Sequence, residues 1–374
     1  MANTNFALLT AEQKTIWSMD FWREARNHTF IMAFAGASSN SMVQRVTELK
    51  KSVDGARAVI TLVNDAVGDG VVGDNRLKGN EEALRSTEDV IQLDQWRQAH
   101  ANTGRMADQK TIVNFRKEAR DKLAYTASRV MDELAFLTLS GIAYTYKTDG
   151  ASRSGSQLPL LQYASDVSAP SSKRYCRWDA TNGLITTSAS NADLVAADTP
   201  TWGMLVDLKA HAVERFIRPI RSEDGIEMYN VFMTPRGIAK LKKDPDFLAA
   251  WQHAQKRGED NPIFKGTSHG GKRGIYIDGL NILEYRNVFN TLGADSGSKW
   301  GGGTVDGQRV LLCGAQALAF ADIGNAMWEE EEEDYGNQNG ISIAKIFGLL
   351  KPVLYSTAAG SDQDFGVIAC DTAI

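Results

Sequence analysis

Between Gly104 and Gly141 the chain carries neither glycine nor proline, and apolar side chains recur at Ile112, Ala119, Leu123, Ala127, Val130 and Leu134. These steps of three, four or seven stack on one face of a 3.6-residue period. Arg116, Lys117, Arg120, Asp121, Lys122 and Arg129 occupy the other face. With Asp108 as N-cap and Gly141 as the stop, the pattern predicts a helix of roughly 30 residues, about 45 to 50 Å long at ~1.5 Å per residue. The usual length is ~11–12 residues. Periodicity alone fits a long core helix in an α+β enzyme, so the flanking sequence has to decide.

Upstream, Thr10 and Gln13 form a capping-box pattern that opens a helix with an aromatic face of Trp17, Phe21 and Trp22. Such a helix is either the edge of a domain or an arm that buries its aromatics on another subunit, and the pattern fits both. A break follows at Phe30 to Phe34 and Ser38 to Ser41, then a short helix is predicted at Met42 to Lys50. Arg57 to Val63 and Asp89 to Trp96 read as strands, the first β-branched and the second alternating. The connection from Asn64 to Glu88 is long and polar, with Gly68, Gly70, Gly73 and Gly79. Two strands so joined have little core of their own. They need another surface to lie on.

Downstream, Thr148 to Thr199 is rich in Ser, Ala, Thr and Gly and reads as an irregular surface insertion, with short strands at Leu158 to Tyr163 and Gly183 to Thr187. From Thr201 the pattern is that of a compact α/β module. Thr201 caps a helix carrying Leu205, Leu208, Ala212 and Phe216. Ile226 to Met233 is a buried strand, Thr234 with Pro235 opens a second helix, and Asp244 with Pro245 repeats the device. Strands are predicted at Ile275 to Ile277, Leu280 to Tyr285 and Arg309 to Cys313. A helical turn is predicted at Ala315 to Ala321, and strands again at Ser342 to Tyr355 and Phe365 to Cys370.

Composition narrows the function classes. At 374 residues the chain can form two or three domains, and a net charge of -5 leaves no dominant basic patch for gripping nucleic acid. Cys176, Cys313 and Cys370 lie far apart and are expected as reduced thiols. No apolar run reaches membrane-spanning length, so a soluble product is expected. Gly68-Asp-Gly70-Val-Val-Gly73 spells a dinucleotide fingerprint, but no helical period follows the third glycine and Asp65, Asp69 and Asp74 would repel phosphate. Gly266-Thr-Ser268-His-Gly270 spells a nucleophile elbow in inverted context, before a strand rather than after one. Glu329 to Asp334 is a solvated or inter-subunit acidic strip without calcium-loop spacing, and histidines 28, 100, 211, 253 and 269 never fall at zinc-ligand spacing. We therefore expect no catalytic residue, cofactor or metal.

The order of these pieces, and several local phrases, resemble one family. The phrases are Leu77-Lys-Gly79-Asn80-Glu81-Glu82-Ala-Leu84, Asp94-Gln95-Trp96-Arg97, Val231-Phe-Met-Thr-Pro235-Arg-Gly, Leu241-Lys-Lys-Asp244-Pro245, Leu312-Cys-Gly314-Ala-Gln-Ala-Leu318, Asp334-Tyr335-Gly336-Asn337 and Asp364-Phe-Gly366-Val. Together they resemble the major capsid proteins of tailed bacteriophages, in the branch without a fused scaffolding segment. The resemblance implies an α+β chain of the Hong Kong 97 fold. Its parts would be an N-terminal arm (1–55), an extended β-hairpin E-loop (56–104), a peripheral domain with the spine helix (105–147), an insertion (148–199), an α/β axial domain (200–325) and C-terminal strands returning to the peripheral domain (326–374). It also implies inter-subunit contacts through Trp17, Phe21 and Trp22 of the arm and Leu77, Lys78, Asn80, Glu81 and Glu82 of the loop. The implied partners are further copies of the chain, as hexamers and pentamers of an icosahedral shell, with a separate scaffolding protein, a portal and decoration or cement proteins. Double-stranded DNA would be enclosed without sequence-specific binding, in a virion assembled in the host cytoplasm without a membrane. The rivals are an encapsulin-like shell around a protein cargo and a soluble α/β enzyme. Lys78 and Asn80 sit on the loop, but no catalytic acid accompanies them, so no covalent cross-link is read from them.

Overall fold

The computed structural model of the chain describes residues 11–46, 57–63, 70–79, 81, 86–104, 115–187, 190–222, 225–253, 268–269, 272–335, 337–356 and 360–374. The long helix is present as Phe115–Ser140, 26 residues. Asp108 and Ile112 lie outside the described residues, as does Thr10. The helix stops at Gly141, whose φ of +66° is the left-handed position that favours glycine. Ala119, Leu123, Ala127, Val130 and Leu134 are all buried, and from Leu134 to Ser140 so is every side chain. An amphipathic helix thus becomes a wholly enclosed one along its length.

It is enclosed because two sheets meet around it. The first has five strands in the order Ala35–Gly36, Val43–Val46, Leu318–Glu333, Gln338–Leu350, Asp94–Ala101. Trp328, Ile341, Ile343 and Phe347 from this sheet join Leu123, Val130 and Leu134 in one apolar cluster, together with Phe21 and Ala25 of the helix Ala11–His28. Two expectations fail here. Neither 42–46 nor 315–321 is helical: Val43–Val46 pairs in parallel with Leu318–Ala321, and each strand satisfies the other's backbone groups, while 47–50 lie outside the described residues. The acidic run ends the long strand, with Glu329–Glu333 paired to Ser342–Gln338.

The second sheet has eight strands. Its main order is Ile275–Ile277, Leu280–Glu284, Glu227–Met233, Gly307–Cys313, Val367–Ala373, Tyr175–Asp179, Leu184–Thr186, and Ile220–Arg221 pairs with the start of Glu227–Met233. The caps behave as the sequence predicts. Thr201 opens Trp202–Glu214 and Thr234 opens Pro235–Leu241, each hydroxyl accepting a backbone N–H of the first turn. Asp244 does something further before Pro245–His253: its carboxylate accepts the Trp202 N–H at 2.7 Å and ties two helices together. Residues 148–199 are not merely a surface insertion, because Tyr175–Asp179 pairs in parallel with Val367–Ala373 inside the sheet. Leu158–Leu160 and Gln162–Asp166 are single 3-10 turns instead of a strand, the first with Pro159 near its start. The chain beyond 326 divides, Gln338–Leu350 going to the five-stranded sheet and Val367–Ala373 to the eight-stranded one.

A two-stranded ribbon stands apart from both sheets. Arg57–Val63 pairs antiparallel with Ser86–Gln92 from Arg57↔Gln92 to Val63↔Ser86. The strand predicted at Asp89 to Trp96 is therefore two strands with a break at Leu93. Asp94 explains the break: its carboxylate accepts the N–H groups of Gln95 and Gln162 at 2.7 and 2.9 Å, and the chain then crosses to the five-stranded sheet.

Candidate assembly surfaces

Among the described residues the ribbon is anchored at its base. Ala58, Ile60, Ile91 and Leu93 pack with Ala319 and Ala321 in a small cluster of their own. Gly348 lets the ribbon come close, since a Cβ there would collide with the Gln92 carbonyl oxygen. Asp89 accepts the Val353 N–H at 2.8 Å, and burial pushes its carboxyl pKa up. Gln92 donates from its backbone N–H and its side-chain amide to Asp166 at 3.3 and 3.0 Å. Towards the tip these contacts give way to solvent: Val72 is 80% exposed and Leu77 61% exposed. Lys78 and Glu81 are exposed as well, with Glu81 accepting the Gly79 N–H at 2.7 Å. Asn80 and Glu82 lie outside the described residues.

The arm helix is different: of the three aromatics expected at a contact with another subunit, Phe21 and Trp22 lie in the chain's own core and Trp17 is half-buried. Phe21 and Trp22 are 1% and 8% exposed inside the chain's own core. Trp17 packs against Trp328 with ring centroids 5.6 Å apart, and the Arg120 guanidinium lies 5.3 Å from the Trp17 ring. The physical reason is the apolar floor supplied by the spine helix and the five-stranded sheet, which buries the Phe21 and Trp22 rings within the chain. Asp132, in the middle of the spine helix, secures the end of the arm. Its carboxylate accepts the N–H groups of Phe30 and Ile31 at 2.9 Å each and the Tyr285 hydroxyl at 2.6 Å. The Phe30 ring stacks on Tyr285 at 4.0 Å.

A second buried charge joins the spine helix to the eight-stranded sheet. The Arg309 guanidinium donates to both oxygens of Asp371 at 2.7 and 2.9 Å, and to the Ser140 carbonyl at 2.7 Å. Tyr175 donates to Asp371 at 2.8 Å. Burial alone would pull the Arg309 pKa down, but the Asp371 carboxylate outweighs it and the net shift is upward. Lys351 and Asp364 form a similar buried pair at 2.9 Å. Lys345 pairs with Asp322 at 2.6 Å, where Arg45 also reaches the same carboxylate. Sequence reasoning missed all of these. The signal was present as charges at apolar positions, such as Asp132 beside Met131 on the buried side of the helix and Asp371 within Val367–Ala373.

The motif spellings assemble no chemistry among the described residues. No helix follows Gly73, and Ser268–His269 is half of a short hairpin with Lys272–Arg273. Gly68 and Gly266 lie outside the described residues. Glu330 makes a bidentate pair with Arg116 at 2.8 Å and Glu329 meets Lys14 at 2.6 Å, so part of the acidic strip is neutralised within the chain. Among the described residues no group of three or more His, Cys, Asp or Glu could hold a metal, and no helix is long and apolar enough to cross a membrane.

A spine helix between two sheets, with an arm at one end and an extended ribbon, is a Hong Kong 97-like capsid fold. The chain belongs to the phage capsid protein family, whose model matches residues 5–374. It is 54% identical over 367 residues to the major capsid protein of Pseudomonas phage KPP25, covering 98% of this chain and 96% of that one. Among solved structures it is similar to the capsid of Ralstonia phage GP4, with a TM-score of 0.70 and 28% identity over 91% of this chain and 89% of that one. The cyanophage Pam1 capsid shares the fold at a TM-score of 0.68 and 20% identity, with 99% of each chain covered.

Proposed function

We propose that the chain is the major capsid protein of a tailed bacteriophage and that its work is assembly, with copies tiling as hexamers and pentamers into an icosahedral head. The observation that carries the assembly reading is the ribbon, which has apolar anchorage at its base and exposed Val72 and Leu77 towards its tip. A segment built this way gains its remaining burial from a neighbouring copy. Its tip contacts then act on association far more than on folding. Leu77, Lys78, Asn80, Glu81 and Glu82 are the residues we assign to this contact. In the arm, the face of the helix left exposed at Ile16 and Met19 is the part available to a neighbour. The chain performs no catalysis in this reading. Double-stranded DNA is contained without sequence-specific binding, which suits a net charge of -5. A separate scaffolding protein, a portal and decoration proteins complete the head, which assembles in the host cytoplasm.

The test replaces Asp65 to Gly79 by an Asn-Gly turn and compares the variant with wild type by circular dichroism melting, sedimentation and negative-stain microscopy. The expected result is a cooperatively melting protomer that no longer closes shells. Normal yields of closed particles would remove the ribbon's role. Particles from the native source filled with a protein cargo in place of nucleic acid would replace the phage head by a cargo compartment.

A further inference from the structure

Two of the three cysteines face each other. Tyr175–Asp179 and Val367–Ala373 run in parallel in the eight-stranded sheet, and their register sets Cys176 directly beside Cys370. Both belong to one apolar cluster, with Trp178 and Ile368, so their side chains leave the sheet on the same face. Both are 0% exposed, and both are free thiols. The Cys176 thiol donates to the Ala369 carbonyl at 3.5 Å and lies within hydrogen-bonding reach of the Cys370 sulfur; that contact, then burial, pushes the Cys176 pKa well up. Cys313 is not part of the pair. It is buried in the cluster on the opposite face, in register with Val367.

The spacing suits a covalent bond. Neighbouring strands lie about 4.7–4.9 Å apart, inside the ~4.4–6.8 Å that separates the Cα atoms of a disulfide. What the bond would hold is equally defined. Tyr175–Asp179 enters the sheet through three register pairs with Val367–Ala373, from Ala369↔Tyr175 to Asp371↔Arg177, and Leu184–Thr186 pairs on its outer side. A link at the middle pair closes a loop of about half the chain, and closing a long loop takes the most freedom from the unfolded chain.

We propose that Cys176 and Cys370 form a staple set by oxidation: thiols while the chain is made and assembled in a reducing cytoplasm, a disulfide once lysis exposes it to a hydroperoxide such as hydrogen peroxide. The inference takes its timing from the phage reading and its chemistry from the sheet alone. One sulfur, as its thiolate, attacks a peroxide oxygen; the O–O bond breaks, hydroxide leaves and takes up the thiol's proton as water, and the sulfur becomes a sulfenic acid. The second sulfur then attacks the first. The S–S bond forms, the S–O bond breaks, and the hydroxyl leaves with the second thiol's proton as another water. Two thiols and one peroxide thus give one disulfide and two waters, the pair losing two electrons and the peroxide gaining them. Burial makes this slow, since peroxide enters only as the sheet edge opens locally. A staple that sets after assembly has no need of speed.

The test uses the full chain, first as reduced protomer. It is treated with hydrogen peroxide while folded, the remaining thiols are alkylated in denaturant, and an unreduced digest is read by mass spectrometry. The expected product is the Cys176 peptide joined to the Cys370 peptide, with Cys313 alkylated. The linked chain should melt about 3–8 °C above the reduced one. Dithiothreitol should remove that rise, and Cys370→Ala should never show it. The proposal is overturned if both thiols stay alkylatable after exposure long enough to oxidise Met19, which is 56% exposed. Sulfinic acids in place of the link, a link through Cys313, or a linked chain that melts no higher overturn it too. Particles released by lysis and exposed to peroxide should carry the link, whereas chain taken from intact cells with its thiols blocked at once should not; a link already present in those cells overturns the timing. The protomer measurements do not depend on shell closure, so the staple and the shell reading fail separately.

Discussion

Replacing Arg309 by methionine tests whether one buried ion pair holds the spine helix to the eight-stranded sheet. Arg309 is 5% exposed and Asp371 is 0% exposed, and they share a bidentate contact. Methionine keeps most of the length of the side chain and removes the charge and every donor. Asp371 would then keep the Tyr175 hydroxyl but lose its cation, and the Ser140 carbonyl would lose the guanidinium. Stripping one partner from a buried pair costs about 3–5 kcal/mol, chiefly because the remaining charge stays desolvated. Whole-protein stabilities are typically about 5–15 kcal/mol, so this is a large share of the total. The assay is urea unfolding of the unassembled protomer, run as a double-mutant cycle with Asp371→Leu. The single variant should lose about 3–5 kcal/mol. The double variant should recover part of that loss, because no unpaired charge remains. A loss within about 0.5 kcal/mol for Arg309→Met, the range of ordinary surface changes, would refute the argument. So would strict additivity in the cycle.

Other consequences can be checked on the same protomer. Asp132→Ala removes the acceptor shared by Phe30, Ile31 and Tyr285, at about 1–3 kcal/mol for each donor left without it; limited proteolysis should then cut near Phe30, and wild-type resistance would count against the clamp. Gly348→Val drives a side chain into the Gln92 carbonyl and the Ile91 side chain, which should lift the ribbon base at about 1–3 kcal/mol; hydrogen exchange in Arg57–Val63 should quicken, and unchanged protection would show that the contact yields freely. Tyr144, Tyr163, Tyr175 and Tyr285 are all pushed above the ordinary value of 10.0, first by burial. Folded values above the unfolded one mean that their contribution is complete below pH 10.0 and is lost as the pH rises beyond it. Phenolate absorbance from these four should therefore appear together with alkaline unfolding; their titration in a still folded chain would contradict the burial argument.

The parts of the fold that were legible in the sequence are those whose signal is local. Thr201 and Thr234 with Pro235 announce their helices because a cap is a contact across only a few residues. The spine helix declares its buried face through Ala119, Leu123, Ala127, Val130 and Leu134 because that period belongs to the helix itself. The two stretches misread as helix, around Val43 and around Ala319, are partners of each other. Their local propensities were real, but the pairing spans most of the chain and leaves no trace in either stretch taken alone. The arm shows the same limit: the pattern of Trp17, Phe21 and Trp22 states that rings will be buried, and the structure supplies the surface that covers Phe21 and Trp22.

The same distinction separates what holds the subunit together from what it offers to neighbours. Asp132 on the spine helix fixes the end of the arm, and Arg309 on the strand Gly307–Cys313 ties the eight-stranded sheet to the helix's last residue, Ser140. Each satisfies backbone groups that no local structure would satisfy: the N–H groups that open the turn Ile31–Phe34 and the carbonyl that closes the helix at Ser140. A charge buried for that purpose is invisible to periodicity, since it interrupts an apolar run where a methionine or leucine would read as well. It also makes the subunit stiff at its joints, because moving either element would strand a carboxylate or a guanidinium away from water. Adaptation between copies in a curved shell is then left to elements outside these joints. The ribbon, packed on Ala319 and Ala321 through Ala58, Ile60, Ile91 and Leu93 and brought close at Gly348, is one such element.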